Sequence, residues 1–130
     1  MASNVGYAVD APGGRLKIVK DISLALNAGQ TLAIVGASGS GKTTLLGLLA
    51  GLETPTAGEV WLAGHNLGAL DEDGRARLRR SRVGFVFQSF HLLPSLTALE
   101  NVMLALEIGR IDQPRQRALE ALGQVGLDHR

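Results

Sequence analysis

Residues 36 to 44, Gly-Ala-Ser-Gly-Ser-Gly-Lys-Thr-Thr, have the types and order needed to hold a polyphosphate. Gly36, Gly41, Lys42 and Thr43 fill the required places of the pattern G-x-x-x-x-G-K-[ST]. Glycines at 36, 39 and 41 permit backbone angles and close approaches that a Cβ would block, so successive N–H groups can converge on phosphate oxygens. Lys42 supplies a point charge that can reach the β- and γ-phosphates, and the Thr43 hydroxyl suits Mg²⁺. The competing reading is a Gly/Ser-rich turn that binds nothing. Lys-Thr in register and the flanking pattern speak against it.

That chemistry needs a strand before the loop and a helix after it, so that the positive end of the helix dipole faces the anion. Thr31-Leu32-Ala33-Ile34-Val35 has the length and β-branching of a buried strand, and Thr43 to Leu52 is rich in Leu and Ala and reads as the helix. Upstream, alternation from Leu16 to Leu26 predicts one or two half-buried strands, with a turn at Asn27–Gln30. Downstream, Glu53–Gly58 reads as a loop, Glu59–Leu62 as a short strand and Gly64–Asn66 as a turn. Asp71-Glu72-Asp73 reads as an acidic helix start ahead of Arg75–Arg80. Val83–Phe87 reads as a second buried strand ending at Gln88. Pro94 breaks the chain, Thr97 and Glu100 have capping-box spacing for a helix to about Ile108, and a last helix is expected from near Pro114 to Gly123. Strands alternating with helices give an α/β fold.

The 130 residues suffice for one core, and 45% apolar with 19% charged residues are globular values. A net charge of +1 gives no argument for nucleic acid as a partner. Without cysteine there is no disulfide or thiol chemistry, and His65, His91 and His129 lack metal-ligand spacing. The first residues show no basic segment followed by an apolar one, so no signal peptide is expected. The longest apolar stretch, Leu45–Leu52, is far short of the ~20 residues that cross a bilayer. A soluble chain is expected, with any membrane role reached through a partner.

Three blocks outside the phosphate loop give the chain a resemblance to the nucleotide-binding subunit of ABC transporters, from about Ile18 to Arg130. Asp21-Ile22-Ser23-Leu24 and Gly29-Gln30-Thr31 precede the loop; Gly51-Leu52-Glu53, Pro55-Thr56 and Gly58-Glu59-Val60 follow its helix. The third runs from Val83-Gly84-Phe85-Val86-Phe87-Gln88 through Pro94 to Leu96-Thr97-Ala98 and Glu100-Asn101-Val102, and is similar to that family's glutamine loop and following helix. Its wording, with Val125–Arg130, is closest to the branch serving lipoprotein release and macrolide-type export. Residues 1–130 would then be a partial nucleotide-binding domain, a P-loop NTPase core with an antiparallel β subdomain.

The resemblance implies roles residue by residue. Gly36 to Gly41 would wrap the β-phosphate of ATP, with Ser38, Gly39, Ser40 and Gly41 giving backbone donors. Lys42 would bridge β- and γ-phosphates, Thr43 would ligate Mg²⁺, and Thr44 would contact the α-phosphate. Gln88 would be the catalytic-site residue that approaches Mg²⁺ and the attacking water and reports nucleotide state to the membrane partner. An amide suits this, since it accepts from water and ligates a cation without titrating. Tyr7 would be the aromatic platform for adenine or an ordinary strand residue, because spacing back from Ile18 puts the equivalent place nearer Val9. The implied partners are an integral-membrane permease and a second ATP-binding subunit, and the implied location is cytoplasmic, peripheral on the inner face of the membrane.

Other residues read more plainly. The arginines at 75, 77, 79, 80 and 82 are expected on a solvated helix face rather than in an anion site, and Phe85 and Phe87 in a core. Phe90, Leu92 and Leu93 either dock a permease helix or fold back on their own domain; His91 and Trp61 carry no functional expectation. The sequence has no Leu-Ser-Gly-Gly-type signature, no apolar strand ending in Asp-Glu and no γ-phosphate-sensing histidine. Against the family it resembles, the N-terminus also reads as several residues short of the usual first strand. Two readings stand: part of a transport ATPase, or a truncated, non-catalytic nucleotide-binding module. A small-molecule kinase would share the phosphate loop but not the block around Gln88.

Overall fold

In the computed structural model, which describes residues 1–129, the chain divides after Val83 into two units. The first unit opens with a hairpin, β1 (Ala2–Ala11) and β2 (Gly14–Leu24), turned at Pro12-Gly13. Tyr7 pairs with Val19 and Val9 with Leu16 in an antiparallel ladder. The ladder slips between Ala2 and Val5, where Asn4 takes a left-handed φ of 50°. There side chains replace ladder bonds: the Asn4 N–H donates to Ser23 Oγ at 2.8 Å and Asn4 Nδ2 to Asp21 Oδ1 at 2.8 Å. β3 (Ala57–Leu62) pairs with the other edge of β1, and the short β4 (His65–Asn66) completes an antiparallel sheet of order β2-β1-β3-β4. Gly58 makes the β1–β3 approach possible, because at its φ of 77° a Cβ would strike the carbonyl oxygens of Ser3 and Asn4.

One face of this sheet carries the core. Ala2, Val5, Val19 and Val60 pack with Leu45 and Leu48 of α1 (Lys42–Leu49) and with Leu67 of the 3₁₀ turn Leu67–Ala69. Val5 and Leu48 are fully buried, each contributing about 1.5–3 kcal/mol of transfer free energy. α2 (Glu72–Arg82) starts at Asp71, whose carboxylate accepts from the Gly74 N–H at 2.7 Å.

The second unit, from Gly84, contains α3 (Ala98–Ile108) and α4 (Pro114–Gln124), which pack on each other. Thr97 and Glu100 form the expected capping box: Thr97 Oγ1 accepts from the Glu100 N–H at 3.2 Å, and the Glu100 carboxylate accepts from the Thr97 N–H at 2.7 Å. Asn101 fastens the preceding turn, accepting from the Leu93 N–H and donating to the carbonyls of Leu93, Leu96 and Thr97. No helix among the described residues is long and apolar enough to cross a membrane.

The structure departs from the sequence expectations in several places. Thr31–Val35 and Val83–Phe87 form no strand, because neither finds a ladder partner among the described residues and β-branching alone cannot supply one. Phe85 and Phe87 are accordingly exposed rather than core, stacked on each other with centroids 5.4 Å apart. The phosphate-loop helix stops at Leu49 instead of Leu52. Gly51, at φ 75°, ends it with paired bonds from the Gly51 N–H to Leu48 O and the Leu52 N–H to Gly47 O. Arg75 and Arg79 are mostly buried, with side chains 16% and 18% exposed, while Arg77, Arg80 and Arg82 lie on the solvated face as expected. The strand set also begins earlier than Leu16, with β1. Arg130, the last residue of the segment linked to the lipoprotein-release branch, lies outside the described residues.

Candidate functional site

The phosphate-loop segment runs from Gly36 into the first turn of α1. Gly41 is the residue that turns it. Its φ of 92° is left-handed, and an added Cβ would come 2.7 Å from the Ile18 carbonyl oxygen on β2. A Cβ at Gly36 would lie 2.8 Å from Ser40 Oγ. These two glycines let the loop fold tightly on itself and back onto the sheet. The first helical bond is from the Leu45 N–H to Gly41 O at 2.9 Å, so the N–H groups of Lys42, Thr43 and Thr44 have no intrahelical acceptor. No side chain caps this end. A cluster of free donors at the positive end of a helix is suited to an anion.

Lys42 folds back across the loop, its Nζ donating to the carbonyls of Gly36 at 2.6 Å and Ala37 at 2.7 Å. Beside it opens a cleft of ≈ 510 Å³ between the loop and β2, to which Lys17, Ile18, Lys20, Gly39, Ser40 and Lys42 contribute. Three lysines and no carboxylate line this cleft, so its field favours a polyanion. A polyphosphate such as that of ATP fits what is present: tight approaches at Gly36 and Gly41 that a Cβ would block, free helix N–H groups and cationic walls.

The sequence-predicted residues divide between the two units. Gly36, Gly39, Ser40, Gly41 and Lys42 line the cleft; Ser38 is exposed on the loop, Thr43 is exposed in the first turn of α1, and Thr44 is half-buried beside it. Tyr7 does not line this cleft. It faces a separate hollow of ≈ 440 Å³ with Arg15 and Thr56, its hydroxyl 3.5 Å from the Glu53 carboxylate, and it packs against the core. Val9 is half-buried in β1. Gln88 belongs to the second unit, where it is exposed. Near it in sequence, the Phe87 ring meets His91 at 4.5 Å, and Phe90 is 90% exposed. No group of three or more His, Cys, Asp or Glu suited to a metal exists among the described residues. The hydroxyl of Thr43 and the amide oxygen of Gln88 are hard neutral donors of the kind Mg²⁺ accepts alongside phosphate oxygens.

Sequence reasoning missed Lys17, Ile18 and Lys20 as wall residues of the cleft. The alternation that marks β2 was visible, but nothing local says that this strand backs the loop. That contact is made by the Ile18 carbonyl, a group every residue possesses.

Residues 19–130 match the family model described as ABC transporter. Over 129 residues the chain is 50% identical to the lipoprotein-releasing system ATP-binding protein LolD of Pseudomonas syringae pv. tomato, covering 98% of this chain and 57% of that protein. It is 55% identical over 115 residues to LolD of Pseudomonas fluorescens, covering 87% of this chain and 51% of the relative. The chain thus spans about half the length of the curated relatives it matches. Among solved structures, it is similar to the ATP-binding cassette MJ0796 in a dimeric, post-hydrolysis state bound to ADP and Pi. The TM-score is 0.86 at 38% identity, covering 94% of this chain and 55% of that one. A second dimeric structure of MJ0796, described as a bacterial ABC transporter cassette, gives a TM-score of 0.87 at 38% identity.

Proposed function

The chain belongs to the ABC transporter family, and on that premise we propose that it binds Mg²⁺-ATP and is the ATP-binding component of a transporter of the lipoprotein-release type. The observation that carries this reading is the end of α1. There Gly41 is folded onto β2, the first-turn N–H groups lack acceptors, and Lys42 is poised over the loop. Gly36 to Gly41 would wrap the β-phosphate, with Ser38, Gly39, Ser40 and Gly41 giving backbone donors and Thr44 near the α-phosphate. Lys42 neutralises the β- and γ-phosphates, and Thr43 offers its hydroxyl to Mg²⁺. When bound, the metal would draw charge from the phosphate oxygens.

Two roles rest on sequence pattern. Gln88 takes the glutamine-loop role through its place in the block Val83–Pro94, with its amide offered to metal and water. The exposed apolar side chains of Phe90, Leu92 and Leu93 support a docking role towards a membrane permease. Tyr7 is the weakest member of the set, since its ring packs on the core and lines the other hollow. Dimerisation with a second ATP-binding subunit, and a place on the inner face of the membrane through the permease, follow from the same reading. The 130 residues by themselves hold nucleotide without sustained turnover, because the sequence carries no Asp-Glu strand and no Leu-Ser-Gly-Gly segment.

Calorimetry with Mg²⁺-ATP tests the reading. Saturable binding that Lys42→Ala weakens sharply is the expected result, and equal affinity in the two proteins would sink it.

A further inference from the structure

The far end of α1 is held by a cation. Gly51, the residue that ends the helix, offers its carbonyl oxygen to Arg79 Nη1 at 2.5 Å. Arg79 reaches it from α2 with a side chain only 18% exposed. Its other terminal nitrogen lies 3.4 Å from Glu72 Oε1, and the second oxygen of Glu72 takes Arg75 Nη2 at 2.8 Å. Arg75 in turn donates to the Leu70 carbonyl at 2.7 Å. One carboxylate therefore orients two guanidiniums, and both reach backbone carbonyls, one of them at the end of α1.

The opposite end of that helix is the phosphate end. α1 has eight residues, about 12 Å at 1.5 Å per residue, so a tilt at Gly51 moves the donors of Lys42–Thr44 directly. The core holds the helix along one face, and the Arg79 bond adds a restraint at its C-terminal end. Leu45 and Leu48 are buried, but Leu46 faces solvent and the preceding run Thr31–Val35 pairs with no strand among the described residues. A positive charge at the C-terminal end also matches the helix dipole, whose positive end points at the phosphates.

We propose that Arg79 is a positioning residue of the nucleotide site, holding α1 by the Gly51 carbonyl so that the first-turn N–H groups keep their aim at the phosphates, with Glu72 setting the guanidinium. This rests on the nucleotide-binding reading above. A purely structural arginine would affect folding stability and leave the affinity of the folded protein alone.

The test measures Mg²⁺-ATP affinity calorimetrically, at a temperature where circular dichroism shows each variant folded, together with amide exchange of residues 42–49 without nucleotide. Arg79→Ala should weaken binding on the order of fivefold and speed exchange in α1. Arg79→Lys should recover part of the affinity, and Arg77→Ala, on the exposed face, should match the parent chain. Arg79→Ala with affinity within about twofold of the parent, despite a lowered unfolding midpoint, overturns the proposal. If Arg79→Ala does not fold, Arg79→Gln, which keeps an amide donor without the charge, is judged by the same two criteria. Absence of binding by the parent chain, or equal binding by Lys42→Ala, would instead refute the nucleotide reading itself.

Discussion

Lys42 Nζ sits 2.6 Å from the carbonyl oxygen of Gly36, six residues earlier, and 2.7 Å from that of Ala37. The ammonium thereby satisfies two of its three donors within the loop proposed to hold phosphate. A phosphate group offers stronger, charge-assisted acceptors than these neutral carbonyls, so exchanging partners favours the bound state. Lysine is thus both the loop's internal tie and its charge.

Replacing Lys42 with the similarly long, neutral Met separates those two parts. Lys42→Met should lower Mg²⁺-ATP affinity by more than about tenfold, over 1.4 kcal/mol, through loss of the charge. The unfolding midpoint should fall only slightly, since the two hydrogen bonds are exposed. Calorimetry and thermal denaturation read the two effects separately. A large stability loss with unchanged affinity would make the lysine a structural tie only.

Gly39 and Gly41 both have positive φ, 77° and 92°, but their surroundings differ. A Cβ at Gly39 meets no atom within 4 Å, whereas one at Gly41 meets the Ile18 carbonyl oxygen at 2.7 Å. Gly39→Ala should therefore cost only the conformational penalty, about 1–2 kcal/mol. Gly41→Ala adds a backbone clash, so α1 must move off β2, and nucleotide binding should be lost with it. Denaturant titration and calorimetry on both variants check the ranking, and the reverse order would show that the β2 contact does not shape the site.

Two exposed carboxylates give the fold a dependence on acid. Hydrogen bonds from Arg75 and then Arg79 hold Glu72 below its ordinary value of 4.5, and the Thr97 N–H followed by the Thr97 hydroxyl does the same for Glu100. A carboxyl with a depressed folded pKa contributes stability that is fully present above its unfolded value. That contribution fades as pH falls through the lower folded value. The unfolding midpoint should therefore hold above about pH 4.5 and decline below it, with part of the decline removed in a Glu72→Gln/Glu100→Gln variant. Profiles of equal slope for both proteins would show that these two groups do not couple to folding.

What could be read from the sequence follows how local each cause is. The capping box at Thr97 and Glu100, the acidic start at Asp71 and the glycine loop are set by residues a few positions apart, and each was legible. Thr31–Val35 and Val83–Phe87 have strand composition, yet a strand exists only through a partner, which composition does not reveal. Arg79 looked like one of five surface arginines. Its task depends on the Gly51 carbonyl 28 residues away, and the chain has no local sign of that contact. The loop itself was fully visible, while its backing by the Ile18 carbonyl required the fold.

The proposed division of labour between the phosphate loop and Gln88 leads to a last expectation about the 130-residue chain. On the proposed reading, affinity for a nucleotide tail would come mainly from charge and from the donors at the start of α1, which lie within the first unit. Gln88→Ala should accordingly leave Mg²⁺-ATP affinity within about tenfold of the parent, about 1.4 kcal/mol. Turnover is a different demand. Phosphoryl transfer needs several groups positioned at once around the attacking water and the leaving oxygen, and a loop with one amide supplies few of them. The purified chain should bind nucleotide yet release little phosphate in a steady-state assay, with Lys42→Ala as the control for contaminating ATPases. Several turnovers per minute that vanish in Lys42→Ala would mean that these residues alone suffice for catalysis.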